Sequence, residues 1–298
     1  MPGQAEPAPS ATPPSGVRHM VAAAFFFSVM SLLVKVAGQR LPSQELVLGR
    51  SVIMLGLAAA MVKYRGLSFL GKRPGLLLLR GLLGFAALSC YYYAVVHLPL
   101  ADATTIQYTN PAFTAVLAAL LLGEHIRARE ALLVGTSLVG VLLMAHPSFV
   151  FGANGSRLPL GAVVVALGGA VFSAGAYVAV RELRHSDDPY VIIFYFALVS
   201  ALGSLLPTAL TAVAPTSREW LLLLGIGGST HLGQLLLTRG LALEQAGRAM
   251  TISYVQIVFA ALWGALCFGY VPDVWALGGA ALVVGGTVAL GRGARGAP

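Results

Sequence analysis

Residues 99–144, which begin Pro99-Leu100-Ala101-Asp102-Ala103-Thr104-Thr105, lie over residues 245–290 at a constant offset of 146, without a gap. Ala103 meets Ala249, Tyr108 meets Tyr254, Ala115 meets Ala261, Gly123 meets Gly269 and Gly140 meets Gly286. Working outward from each copy, each half of the chain holds five apolar runs. Five is odd, so the chain enters its second half from the opposite face of a membrane. The second copy is therefore expected to be inverted relative to the first.

The chain of 298 residues is 57% hydrophobic and 10% charged, where a soluble domain carries about 25% charged residues. Its apolar runs of ~20 residues suffice to cross a ~30 Å hydrocarbon core as helices. They are predicted near 18–37, 44–63, 76–97, 102–122, 130–146, 159–180, 189–212, 218–241, 246–268 and 273–291. Turn chemistry separates them, as in Lys72-Arg73-Pro74-Gly75 and Asp187-Asp188-Pro189. The expected fold is an all-α membrane protein of about ten transmembrane helices in two inverted five-helix repeats. Residues 1–16 form a Pro-, Ala- and Ser-rich tail expected to be disordered and cytoplasmic. Residues 17–148 and 159–291 hold the repeats, 149–158 an outer linker and 292–298 a second cytoplasmic tail.

Lysine and arginine set the expected orientation. With a cytoplasmic N-terminus, the outer segments hold only Arg40, Arg157 and Arg218. The inner segments hold most of the rest, from Arg18 through Lys63–Arg80, Arg127, Arg129, Arg181, Arg184, Arg239 and Arg248 to Arg295. Both termini then lie on the cytoplasmic side of a bacterial-type inner (plasma) membrane. The positive loops are the second and fourth of the first half but the first and third of the second, as an inverted copy requires.

The net charge of +8 comes from basic residues scattered singly, which gives no nucleic-acid footprint. Cys90 and Cys267 lie within apolar runs and read as small packing residues. No HExxH pair, Gly-x-Ser-x-Gly turn, phosphate loop or histidine spacing suited to a metal is present, so neither an enzyme nor a cofactor is expected.

Tyr93-Ala94-Val95-Val96-His97-Leu98-Pro99-Leu100-Ala101-Asp102-Ala103-Thr104, Asn110-Pro111-Ala112-Phe113-Thr114-Ala115 and Leu121-Leu122-Gly123-Glu124 together resemble the EamA module of the drug/metabolite transporter superfamily. In the second copy, Tyr254–Ala261 and Phe268-Gly269 are a weaker match, with Ile257 in the place of proline and Tyr270 in the place of the acid. The resemblance covers about residues 18–291. It implies two five-helix bundles around a central cavity, helices five and ten outside it, and transport of amino acids, nucleotide-linked metabolites, vitamins or sugar phosphates.

Polar side chains within the spans are the candidate site, because each is costly in hydrocarbon. Thr104, Gln107, Tyr108 and Pro111 share one face of the fourth helix, with Asn110 beside it. Pro111 frees a backbone carbonyl, which marks either a site or a plain kink. The ninth helix carries Tyr254 and Gln256, the eighth His231 and Gln234, the third Tyr92 and the sixth Ser173 and Tyr177. Single Ser and Thr residues more often bond their own helix. Arg50, about 9 Å into the second helix, either snorkels outward or offers a cation to an anionic solute. His231 is either an interhelical residue or a solute contact and proton carrier. Lys35 is expected to snorkel.

These readings converge on a secondary transporter working by alternating access on a small organic solute, an amino acid or an aromatic molecule. The alternatives are a membrane receptor or scaffold of the same fold and an intramembrane transferase. Partners are the solute and the bilayer. Small residues on helices five and ten (Thr136, Gly140, Gly285 and Gly286) pack those helices together or form a homodimer face. Accessibility labelling of intact cells is expected to place a cysteine in Gly152–Arg157 on the outer face and one in the C-terminal tail on the inner. The same face for both would end the five-span reading.

Overall fold

The computed structural model describes residues 16–98, 103, 106–124, 127–145, 159–269 and 274–293. Thr104, the first fifteen residues, the linker 149–158 and residues 294–298 lie outside the described residues. The elements are α1 (Gly16–Ala37), α2 (Ser43–Tyr64), α3 (Pro74–His97), α4 (Asn110–Leu122), α5 (Ala128–Ala145), α6 (Leu160–Leu183), α7 (Pro189–Thr211), α8 (Ser217–Leu243), α9 (Ala246–Ile252), α10 (Val255–Phe268) and α11 (Val274–Gly293). No strand occurs among the described residues.

Local chemistry explains where these helices begin and end. α3 and α7 start on prolines, whose missing N–H costs nothing in a first turn. The Asp188 carboxylate caps α7 by accepting from the Tyr190 N–H at 2.9 Å. Thr216 and Glu219 close a capping box at the head of α8. α4 and α10 each stop at a left-handed glycine, Gly123 at φ 66° and Gly269 at φ 67°, a conformation that strains any residue with a Cβ.

Among the described residues, seven segments are long and apolar enough to span a membrane, with α9 and α10 joined in one of them. Asn110–Leu122, Ala131–Leu143 and Leu277–Gly286 are shorter apolar helices. The outer faces carry exposed Leu206, Leu210, Leu221 and Leu266, as a lipid solvent requires. The chain is an integral, multi-pass membrane protein.

Small residues bring the spans together. α1 packs along α8 and α3 along α6; α2 meets α7 and α8, while α3 also meets α7. α4 lies between α6 and α9, α1 also meets α10, and α5 pairs with α11. Exchanging each span for its counterpart in the other half returns this same set of neighbours. Within the α5–α11 pair, a Cβ at Gly140 would stand 2.7 Å from the Gly279 carbonyl, and one at Gly286 would strike Ser137. These small residues therefore serve packing within the chain. Cys90 likewise sits where a Cβ at Gly169 would approach within 2.8 Å.

The fourth and ninth spans differ from the continuous helices expected over 102–122 and 246–268. Ile106 and Gln107 are helical, Tyr108 and Thr109 form a turn, and α4 then begins. Ser253 and Tyr254 form the matching turn between α9 and α10. Both breaks tighten into i→i−3 bonds: Thr109 N–H to the Ile106 carbonyl at 3.0 Å and Tyr254 N–H to the Thr251 carbonyl at 3.2 Å. Pro111 accounts for the first break. The second has Ile257 instead, and its N–H still bonds three residues back, to Tyr254, at 3.0 Å.

α4 and α9 touch where Gly247 meets Ala115. A Cβ there would lie 2.6 Å from the Ala115 Cβ and 2.8 Å from its Cα. Backbone cannot yield as a side-chain tip can, so Gly247→Leu is expected to cost about 1–3 kcal/mol, seen as a lower Tm in detergent. Gly135→Leu, where nothing lies within 4 Å, should leave Tm unchanged.

Candidate functional site: a polar slot at two broken helices

The two breaks meet. Tyr254 is 0% exposed, and its hydroxyl donates to the Tyr108 carbonyl at 2.7 Å. That carbonyl is free because the Ala112 N–H has turned to Thr109, at 3.1 Å. The two tyrosine rings lie 5.9 Å apart at 49°. They occupy corresponding positions in the two halves, so the chain joins its halves through one residue and its own counterpart.

Polar groups gather around this contact, and this cluster is the candidate slot. Gln107 Nε2 donates to Ser173 Oγ of α6 at 2.9 Å. Its Oε1 and Asn110 Oδ1 are buried without a hydrogen-bond partner. Tyr177 lies one turn beyond Ser173, close enough to interact electrostatically with both Tyr108 and Arg80. Arg80 of α3 donates from Nη2 to Gln234 Oε1 of α8 at 3.3 Å, and its guanidinium lies 4.3 Å from the centre of the Phe196 ring. On the α1 side, Trp263 Nε1 donates to Ser28 Oγ at 3.0 Å.

The structure thus joins Tyr254 to Tyr108, with Gln107 before it and Asn110 and Pro111 after it in the chain, and links Gln234 to Arg80. Gln256 is half-buried in the first turn of α10 and takes no side-chain hydrogen bond among the described residues. His231 is buried, and its ring stacks at 6.3 Å on Tyr190, which also lies under Arg65. Arg50 is 7% exposed, with Nη1 3.8 Å from Met30 Sδ, so it does not reach out to the interface. Lys35 is exposed, as expected. Thr104 and the side chain of Tyr92 lie outside the described residues. Ser31, Thr114 and Thr251 bond carbonyls of their own helices, the ordinary role of such residues.

Sequence reasoning missed Arg80, which it counted among the cations of the inner segment between the second and third spans. The signal lay four residues on. A Cβ at Gly84 would collide with Arg80 Nη1 and lie 2.7 Å from Phe196 Cε2. The glycine leaves the groove in which the guanidinium lies.

Among the described residues, charge apart from Arg50 and Arg80 lies at the helix ends. At one end Arg181 Nε donates to Glu124 Oε1 at 2.7 Å, and its Nη1 to the Leu241 carbonyl at 2.8 Å. Glu124 Oε2 also accepts from the Ala246 N–H at 2.9 Å. Arg73–Glu182 at 2.6 Å and Arg65–Asp188 at 3.6 Å lie near by in the fold, bridging the start of α3 to α6 and the end of α2 to α7. At the opposite ends of α2 and α8, Arg40 Nε donates to Glu219 Oε1 at 2.7 Å and Val213 N–H to Glu45 Oε2 at 2.9 Å. The Glu219 hydrogen bond holds the Arg40 pKa above its ordinary value. A cleft of about 640 Å³ opens between α3, α4 and α6 at the Glu124 end, and no residue of the slot lines it.

A family model described as "EamA-like transporter family" matches the chain twice, over residues 14–145 and 160–292. The chain belongs to this family. It is a membrane transporter of small metabolites by that membership. It is 39% identical over 279 residues to a protein of Pseudomonas aeruginosa (strain UCBPP-PA14) named "Pseudopaline exporter CntI", covering 93% of this chain and 96% of the relative. It is 31% identical over 289 residues to "Solute carrier family 35 member G1" of Homo sapiens, covering 93% and 78%. A solved crystal structure superposes with a TM-score of 0.81 over 94% of this chain and 97% of the other. Its sequence is 22% identical, so that likeness is one of fold.

Tyr254→Phe keeps the ring and removes the donor to Tyr108. Leaving that carbonyl unpaired is expected to cost about 1–2 kcal/mol, measured as a drop in Tm of the purified protein.

Proposed function

We propose that this transporter works by alternating access, with the solute bound between two inverted five-helix halves at the broken spans. One observation carries the reading: two discontinuous helices, in corresponding positions of the two halves, meet through Tyr254 and the Tyr108 carbonyl. Interrupted helices at a repeat interface are where secondary transporters bind their cargo. The principal neighbour pairs, which map onto one another when the halves are exchanged, support a pseudo-two-fold axis. An odd number of spans per half then sets that axis in the membrane plane.

The solute is a small organic metabolite held by Gln107, Tyr108, Asn110 and Gln234, with Gln256 and Arg50 on the α10 and α2 sides and Thr104, Tyr92 and His231 as further candidates. Two groups support this: Gln107 Oε1 and Asn110 Oδ1, buried acceptors with no partner among the described residues. Such atoms are costly unless something pairs with them. The CntI relative is named for pseudopaline export, so pseudopaline and then amino acids and aromatic acids are the first solutes to test. The Arg181–Glu124–Ala246 cluster is the contact that must part for the slot to open at that end. We place both termini and this cluster on the cytoplasmic side of the plasma membrane, on the distribution of Lys and Arg.

Proteoliposomes loaded with a transported solute are expected to show efflux that falls tenfold or more in Gln107→Ala, Tyr108→Ala and Gln256→Ala. Glu124→Gln should change the rate of exchange while leaving solute affinity within about threefold. Unchanged efflux in all three alanine variants would remove the assigned site.

A further inference from the structure

Arg80 lies on α3 six residues past Pro74, which is about 9 Å along the helix from its nearer end. An arginine this close to an interface ordinarily extends toward it. This one turns the other way. Its Nη1 lies where a Cβ at Gly84 would be, one turn deeper into the span, and the residue is 2% exposed. Its companions there are neutral: the Gln234 amide at 3.3 Å, the Phe196 ring at 4.3 Å and Tyr177 within electrostatic range. Nε and Nη1 have no hydrogen-bond partner among the described residues.

No protein carboxylate answers the charge among the described residues. The carboxylates with described side chains sit at helix ends, where they hold Arg40, Arg65, Arg73, Arg181, Arg248 or backbone amides. A buried cation with only an amide and a ring face for company is poorly compensated. The α3 segment nonetheless carries a glycine that lets this cation in. Planar guanidinium forks match carboxylate and phosphate oxygens in geometry and charge.

We propose that Arg80 is the anion-binding group of the slot, and that the transported solute carries an oxyanion, a carboxylate or phosphate, on an organic body. Phe196 covers the guanidinium when no solute is bound, and Gln234 fixes its plane. The aromatic wall of Tyr108, Tyr177 and Tyr254 takes the organic part. This assignment rests on the transport reading and narrows it to organic anions.

The experiment uses the full chain in detergent and matched probes: phenylacetate with phenylacetamide, succinate with succinamide, and phenyl phosphate. An acid is expected to raise Tm and to bind at least tenfold more tightly than its amide, since a ligand that prefers the folded form stabilises it. Phenyl phosphate against phenylacetate tells which oxyanion is preferred. Arg80→Gln should abolish the acid effect and, without ligand, melt no lower than wild type, because an uncompensated charge has been removed. Gly84→Ala keeps the charge but displaces the guanidinium, and Arg80→Lys keeps it without the fork. Both should weaken acid binding tenfold or more. The proposal is overturned if no acid separates from its amide, if Arg80→Gln responds as wild type does, or if Arg80→Gln is destabilised while Arg80→Lys retains full acid binding. Acid binding without flux in liposomes would leave Arg80 assigned and sink the transport reading. Flux of an uncharged solute that Arg80→Gln does not alter would do the reverse.

Discussion

Hydrocarbon offers no water to a backbone carbonyl. Where a helix breaks inside a membrane, the freed group must find a donor in the protein. That constraint organises this molecule. The fourth span breaks before Pro111, the Tyr108 carbonyl loses its helical partner, and the Tyr254 hydroxyl replaces it at 2.7 Å. The donor stands on a second break at the corresponding position of the other half. The two irregular points of the fold thus satisfy one another across the midline, and the polar side chains that gather there inherit a protected, low-dielectric setting. The interaction is single and local, and it ties the two broken spans to each other.

The rest of the polarity divides by depth. Carboxylates and most cations pair at the helix ends, where Arg181 bridges Glu124 to the carbonyls of α8 and Arg40 holds Glu219. The interior keeps amides, phenols and the buried arginines Arg50 and Arg80. Ion pairs at the ends are partly hydrated and can exchange partners at modest cost. Charges in the middle are held by shape, Arg80 by the gap at Gly84 and the ring of Phe196. Under the alternating-access proposal, pairs at the ends that can part and a polar middle would let the chain open at one end and then the other. The membership of the chain in the EamA-like transporter family agrees with this division of labour.

Much of this was legible in the order of residues. Apolar runs, glycine and proline punctuation and the 146-residue offset located the spans to within a few residues. The paired glycines Gly123 and Gly269 both became left-handed helix ends. On the fourth span, Gln107 meets Ser173 and the Tyr108 carbonyl meets Tyr254. The second break was not legible, because Ile257 permits a regular helix and only the environment of Tyr254 decides otherwise. Arg80 was misplaced for a related reason. Distance from a helix start predicts snorkelling, while the direction of the side chain depends on what stands opposite.

Sequence alone determined that this chain crosses a membrane many times, that its halves correspond, and which polar residues each span carries. Those properties follow from hydropathy and periodicity, which are local sums over neighbouring residues. Tertiary structure decided which carbonyl Tyr254 would cap, which arginine would be sealed inside, and that the small faces of α5 and α11 close on each other. These depend on the fit between surfaces far apart in the chain, where the missing Cβ of a glycine leaves room for a cation to turn inward.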